Sequence, residues 1–195
     1  NGNELQIFSV DTADHLEDIC YRAGVNLGES SIVRAVDWSP DGNYLAIAGS
    51  SLTDGEELRI YSFDSPALTY EDGADFGSAP YDVSWAPSGK YVAIVGDGGS
   101  KLQIYPFESG SLGSVVVNES LGADIIYSVT WSPCGHYLMI GNASPTDNYE
   151  SQAYYFDGSS VTLAGSVDYG GASSYVRGVD WSSDGKFIAA VGKNP

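Results

Sequence analysis

The chain has 195 residues, of which 43% are hydrophobic and 12% aromatic, so it can bury a substantial core. Its 26 acidic and 8 basic residues give a net charge of −18. This balance excludes a nucleic-acid-binding surface, because few cations are available to replace phosphate counterions. No apolar run is long enough to predict a membrane span.

Two strands are predicted at the start of the chain, over residues 3–11 and 17–25. Four hairpins follow, each containing one of four tryptophans that recur at intervals of 47, 46 and 50 residues. The hairpins read VRAVDWSPDGNYLAIAG from Val33, YDVSWAPSGKYVAIVG from Tyr81, IYSVTWSPCGHYLMIGN from Ile126 and VRGVDWSSDGKFIAAVG from Val176. Fixed periods of this length, built from short strands, are typical of propeller blades.

Turn chemistry supports the hairpins. In the first one, Pro40 supplies the φ of the second turn position and Gly42 accepts a positive φ, as a type I turn followed by a strand requires. The strand before each turn alternates apolar with small or polar residues. The strand after it is a denser apolar run, which predicts burial on both faces.

The first three hairpins are followed by a third and a fourth strand. Third strands begin at Glu57, Lys101 and Gln152, and fourth strands lie near 67–70, 114–118 and 160–164. The last hairpin has no such strands after it, and residues 3–11 and 17–25 match the missing pair. We therefore predict one all-β domain over 1–195, a β-propeller of four blades with four antiparallel strands each. Its blades are 29–75, 76–122, 123–172 and a blade that 173–195 begins and 1–28 completes.

These repeats resemble the WD-repeat β-propeller family over essentially the whole chain. The hairpins match the family's first two strands, and Asp64, Glu108 and Asp157 lie where its Trp-Asp dipeptide closes the third strand. Tyr or Phe replaces that Trp, and the Gly-His pair that opens family repeats is absent. The TolB-like propeller group, whose repeats share the Trp-Ser-Pro-Asp-Gly phrase, is a second resemblance. Both imply a propeller, and neither implies a particular activity.

A partner-binding site is predicted four residues before each tryptophan, at the start of the innermost strands. The positions hold two arginines and two tyrosines, residue types enriched in binding hot spots; they are Arg34, Tyr81, Tyr127 and Arg177. The loops expected on the same face are acidic, which suits a protein or peptide partner, including a basic one. In the alternative interpretation the tyrosines only pack between blades, the arginines pair with local carboxylates, and the acidity serves solubility.

Catalysis has little support in the sequence. The two histidines, His15 and His136, lie in neither a triad nor a metal-ligand spacing, so no catalytic residue, metal site or cofactor is predicted. The acidic segment 144–150 lacks the spacing of a calcium loop. Cys20 and Cys134 are predicted to be free thiols.

We therefore interpret the chain as a non-enzymatic propeller that serves as an interaction scaffold or structural assembly unit. The alternatives are a carbohydrate- or metal-binding surface module, or a hydrolase that uses acidic residues at the central channel. Few Lys and Arg beside abundant Tyr, Ser, Gly and Asp favour an exported or surface protein.

Blade number bears on the assembly. Four blades alone demand steep angles between blades, so we expect either a two-copy ring of eight blades, a fragment of a longer array, or a self-closed ring of four. In the two-copy ring the strand around Ile7 of one copy completes the sheet around Trp181 of the other.

Overall fold

The computed structural model describes residues 5–10, 19–50, 52–122, 124–143, 149–170 and 174–193. Apart from one 3₁₀ turn, Thr53–Gly55, the regular structure of these residues is β-strand. The strands are β1 (Leu5–Val10), β2 (Ile19–Val25), β3 (Ile32–Trp38), β4 (Tyr44–Ser50), β5 (Leu58–Asp64), β6 (Ala67–Ala74), β7 (Pro80–Trp85), β8 (Tyr91–Gly96), β9 (Leu102–Glu108), β10 (Ser111–Leu112), β11 (Val117–Glu119), β12 (Ile125–Trp131), β13 (Tyr137–Ala143), β14 (Ser151–Phe156), β15 (Val161–Val167), β16 (Tyr175–Trp181) and β17 (Ile188–Lys193).

The strands form five antiparallel sheets in chain order. Three are full blades, namely blade A (β3 to β6), blade B (β7 to β11) and blade C (β12 to β15). The other two are the N-terminal pair, β1 with β2, and the C-terminal pair, β16 with β17. In blade B the outer position is shared by β10 and β11, which both pair with β9. The prediction of an all-β propeller is confirmed.

Each hairpin turn has the geometry that its sequence predicts. Gly42, Gly89, Gly135 and Gly185 all have φ near +70°, a region that only glycine enters without strain. In the first turn the Gly42 amide donates to the Ser39 carbonyl at 2.8 Å, and the Ser39 hydroxyl bonds Asp41 at 2.6 Å.

The core lies between consecutive blades. Ala48 and Ile60 of blade A pack against Trp85 and Ile94 of blade B in one cluster. An equivalent cluster joins blades B and C, and a smaller one joins blade C to the C-terminal pair. At the other end, Leu5 and Ile7 of the N-terminal pair pack on the opposite face of blade A. The first strands of successive blades lie side by side, so they form the inner wall of the propeller.

Burial of the second strands matches expectation in three hairpins and not in the fourth. Strands β4, β8 and β13 are buried on both faces, whereas β17 is almost entirely exposed. The reason is that β17 pairs only with β16 among the described strands and has no blade against its second face.

The two terminal pairs are separate sheets within one chain, among the residues that the structure describes. A ring of four blades closed through a shared terminal sheet is therefore not formed by these strands. That 173–195 begins a blade which 1–28 completes therefore stays a prediction. No helix in the described ranges has the length and apolar character needed to cross a bilayer.

Candidate functional site

A β-bulge recurs at the same place in all four inner strands. In β3, Val33 pairs with Gly49 and Ala35 with Ala48, so Arg34 is the extra residue between them. The register shifts in the same way at three other residues, which are Tyr81 in β7, Tyr127 in β12 and Arg177 in β16. Bulges locally disrupt pairing and re-aim a side chain. The four predicted site residues therefore share one backbone geometry.

The structure brings these four side chains into one continuous series, which we call the bulge row. The Arg34 guanidinium lies 5.1 Å from the centre of the Tyr81 ring. The rings of Tyr81 and Tyr127 meet edge to face at 5.3 Å. The Arg177 guanidinium then lies 4.9 Å from the ring of Tyr127 and 4.9 Å from that of Tyr175. Each cation–π contact at a partly exposed position contributes about 0.5–1 kcal/mol.

Both ends of the bulge row are exposed arginines, and its middle is half-buried tyrosine. Arg34 is held in place by hydrogen bonds that its guanidinium donates to the Ser50 hydroxyl and, at 3.4 Å, to the Pro80 carbonyl. The arginines thus stack on tyrosines of the neighbouring inner strands. In the described residues the ion pairs involve Arg59 and Lys186, and neither Arg34 nor Arg177 pairs with a carboxylate.

Two carboxylates accompany the bulge row on the inner strands. Burial raises the pKa of Asp82, against hydrogen bonds from the Val129 amide at 2.9 Å, from Ser128 and from the Val83 amide, which lower it. The nearby charge of Asp37 raises the pKa of Asp82 further.

Asp37 follows the same pattern one blade earlier. Burial raises its pKa, while amide hydrogen bonds from Trp85, at 2.7 Å, and from Trp38 act to lower it. Both carboxylates reach from the inner strand of one blade to that of the next. Ser128 makes the corresponding link to the Val179 amide at 3.3 Å. These residues fix the spacing of the inner wall.

Several acidic loop residues have structural roles. Glu57 accepts from the Phe76 amide at 2.9 Å, and Glu150 accepts from the Tyr169 amide at 2.9 Å and from the Ser174 hydroxyl. These bonds tie the start of a third strand to the loop that leads into the next blade. Carboxylates used in this way are less available to a basic partner, and that partner stays a prediction.

Other candidate residues are placed as follows. His136 stacks on Tyr155 with ring centres 6.2 Å apart, and His15 lies outside the described residues. Cys20 and Cys134 are exposed free thiols. A hydrogen bond with Ser132 lowers the pKa of Cys134. The described part of the chain holds no group of His, Cys, Asp and Glu that could bind a metal, while most of the acidic segment 144–150 lies outside it.

Sequence reasoning missed Asp37, Asp82 and Tyr175. Asp37 and Asp82 stand one and three residues before a tryptophan. The repeat alignment could have marked them as acidic residues inside strands that are otherwise apolar or neutral. The bulge that aims the neighbouring side chains was not visible in the sequence.

The fold and the site define the class, a β-propeller with a row of polar and aromatic side chains along its inner wall. The family described as WD domain, G-beta repeat, matches residues 24–56 and 165–194, about a third of the chain. These stretches include two of the four hairpins, β3 with β4 and β16 with β17. The match supports the propeller class. No curated protein sequence matches the chain.

Similar solved structures are propellers about twice as long. A candidate 6-phosphogluconolactonase from Bacteroides uniformis has a TM-score of 0.67 at 15% identity, and one from Bacteroides fragilis has 0.67 at 17%. A periplasmic gluconolactonase from Pseudomonas aeruginosa has 0.64 at 15%. Each alignment covers 95% of this chain. The chain spans 56%, 56% and 55% of those three structures, respectively.

This likeness corrects the functional interpretation. The sequence pattern predicts a non-enzymatic scaffold. That prediction is wrong, because the similar propellers are named as lactonases. The prediction failed because composition alone does not separate the inner-wall carboxylates from the many acidic residues of the chain. At these identities the likeness establishes the fold, so the activity is taken up as a proposal.

Proposed function

We propose that this propeller is a hydrolase of small polar esters of the sugar-lactone class, with its active site at the bulge row. The observation that supports this most is the combination of a polar, aromatic row with two inner-wall carboxylates whose pKa is raised. A raised carboxylate pKa makes a stronger general base at neutral pH.

Asp82 is the proposed general base. Its described hydrogen bonds come from Val83, Val129 and Ser128, and a carboxylate has about four lone-pair sites, which leaves one for water. Asp82 takes a proton from that water as its oxygen attacks the lactone carbonyl carbon. The ring carbon–oxygen bond then breaks, and the departing oxygen takes up a proton to give the hydroxy acid. Asp37 acts on Asp82 through its charge and is a positioning residue.

The bulge row is the proposed substrate-binding element. Guanidinium groups of Arg34 and Arg177 donate to oxygens of the substrate, including a carbonyl oxygen that becomes negative during attack. The rings of Tyr81 and Tyr127 offer flat surfaces for a sugar ring, and their hydroxyls can bond its hydroxyl groups. The names of the similar propellers, gluconolactonase and 6-phosphogluconolactonase, support the same substrate class.

The test is lactone hydrolysis by the purified chain. Acid release from gluconolactone and 6-phosphogluconolactone is followed with a pH indicator near pH 7, and spontaneous hydrolysis is subtracted. Asp82→Asn keeps a side-chain acceptor but removes the base, so kcat should fall by about 10²–10⁴-fold. Arg34→Ala should raise KM and also lower kcat, because it removes a donor to the carbonyl oxygen that becomes negative during attack.

The matched control is Asp64→Asn, the same substitution at the end of a third strand. It should leave both constants unchanged. Folded wild-type chain that hydrolyses neither lactone would refute the proposal. Equal losses in Asp82→Asn and Asp64→Asn would refute the role of Asp82.

We further propose that the repeats are of the WD type. Two hairpins match that family, and the strand ends at Asp64, Glu108 and Asp157 correspond to its Trp-Asp position. Asp157 caps its own turn by accepting from the amides of Ser159 and Ser160, which lowers its pKa to about 2.

A further inference from the structure

We propose that Glu150 is a positioning residue of the bulge row, which holds Tyr175 and, through its ring, the guanidinium group of Arg177 in place to bind substrate. The inference rests on the proposed function, because it concerns how the substrate-binding residues of that site are held. It starts from the burial of Glu150, whose side chain is only 1% exposed. A charge at such a position has to be paired or hydrogen-bonded, so its partners indicate its role.

Glu150 binds the segment that leads into β16 at two points. One carboxylate oxygen accepts a hydrogen bond from the Tyr169 amide at 2.9 Å, and the other accepts from the hydroxyl of Ser174, which is also buried. Ser174 is the residue directly before β16. Among the described residues no ion pair involves Glu150, so hydrogen bonds satisfy its carboxylate. The carboxylate therefore fixes the place where β16 begins.

These hydrogen bonds favour the ionised form of Glu150. Burial acts to raise the pKa of Glu150, and the hydrogen bonds from Ser174, from the Tyr169 amide and from its own amide outweigh burial, so the pKa lies below the usual value of 4.5. Glu150 is therefore a carboxylate at neutral pH, the form in which both oxygens accept hydrogen bonds.

Tyr175 links the anchored segment to the bulge row. It follows Ser174 directly, and its ring lies 4.9 Å from the Arg177 guanidinium and meets the Tyr127 ring edge to face at 6.2 Å. The Arg177 guanidinium therefore stacks on two rings, one from Tyr127 and one from Tyr175. A displacement of Ser174 moves the second of these rings and with it the arginine.

Blade A holds an equivalent glutamate with a different reach. Glu57, like Glu150, stands directly before a third strand, and it accepts from the amides of Phe76 at 2.9 Å and Gly77 at 3.4 Å. These bonds end before β7, which begins at Pro80. Glu57 therefore caps the loop between two blades without holding the residue next to the inner strand.

Asp97 anchors the start of β7 instead. Its carboxylate accepts from the Ala79 amide at 3.1 Å, and its own amide donates to the Ala79 carbonyl at 3.1 Å. Ala79 lies two residues before Tyr81, so this part of the bulge row keeps its anchor when Glu57 is changed. Glu57 is thus a matched control for Glu150.

A double-mutant cycle tests whether Glu150 acts through Arg177. Glu150→Gln should lower kcat/KM for lactone hydrolysis by about 10–10²-fold, the cost of misplacing a binding group by about 1 Å. The double variant with Arg177→Ala should lose no more activity than Arg177→Ala alone, because the two residues serve one interaction. Glu57→Gln should leave kcat/KM unchanged. Additive losses from Glu150→Gln and Arg177→Ala, or equal losses in Glu150→Gln and Glu57→Gln, would overturn the proposal.

An NMR measurement tests the positioning without hydrolysis. The side-chain Nε–H signal of Arg177, assigned with Arg177→Lys, should lie upfield in the wild-type chain because the guanidinium stacks on two rings. It should move downfield in Glu150→Gln and in Ser174→Ala, a smaller change that deletes only the hydroxyl, and should stay in place in Glu57→Gln. The backbone amide signals of blades A and B show that each variant is folded.

The two measurements separate this proposal from the proposed function. A wild-type chain that hydrolyses no lactone refutes the proposed function, while the Arg177 signal still decides whether Glu150 positions the arginine. An Arg177 signal that stays unchanged in folded Glu150→Gln and Ser174→Ala, or that moves equally in Glu57→Gln, would overturn the positioning role.

Discussion

At the scale of single residues, the acidic side chains differ in where they lie in the propeller. Among the residues that the structure describes, most acidic side chains lie in turns and loops, where several cap backbone amides. Asp37 and Asp82 lie instead in the inner wall, where burial disfavours the ionised form, as it also does for Glu57 at the start of a third strand. The two carboxylates are therefore chemically distinct from the acidic surface that gives the chain its net charge.

The two carboxylates should titrate as an interacting pair. We expect the titration midpoints of Asp37 and Asp82 both to lie above the usual aspartate pKa of 3.8, and NMR of the side-chain carboxyl carbons measures them. Asp37→Asn removes a like charge and should lower the pKa of Asp82, whereas Asp184→Asn, at a fully exposed turn, should not. An unchanged Asp82 midpoint in Asp37→Asn would contradict the coupling.

The raised pKa of Asp82 also makes the free energy of unfolding depend on pH. Because folding raises the pKa of Asp82, the folded state holds this proton more tightly than the unfolded state. The contribution of Asp82 to the free energy of unfolding is thus greatest below pH 3.8 and is lost as the pH rises through the raised pKa. Activity has the opposite dependence, since only ionised Asp82 can accept a proton.

At the scale of elements, the hairpin is the unit that the sequence predicts well. Periodic tryptophans, Pro-Gly turns and dense apolar runs reflect local chemistry, and the strands follow them closely, as β4 and β8 illustrate. The bulge was not predicted, because it depends on how two strands align and not on either strand alone. The exposure of β17 was missed for a related reason, since burial requires a neighbouring strand and blade.

Blade packing should dominate the stability of each hairpin. Ile94 is fully buried between blades A and B, so Ile94→Ala should lower the free energy of unfolding by about 2–5 kcal/mol. Ile19→Ala makes the same change at a side chain that is 66% exposed, and it should cost no more than about 0.5 kcal/mol. Urea denaturation of both variants measures the difference. Similar midpoints would contradict the inter-blade core.

At the scale of the whole molecule, the described residues form three full blades with a strand pair on either side. The chain matches propellers of which it spans just over half the length. Its inner wall is continuous across the three full blades and the C-terminal pair, since the first strands of successive sheets lie side by side.

If the bulge row is the active site of a lactone hydrolase, it should bind the product of the proposed reaction. Binding is measured by an NMR titration of the tyrosine rings with gluconate. We predict saturable shifts at Tyr81, Tyr127 and Tyr175, with Tyr155 on the outer part of blade C unchanged. The titration uses gluconate concentrations that inhibit hydrolysis. Shifts at other residues with no change at these three rings would contradict an active site at the bulge row.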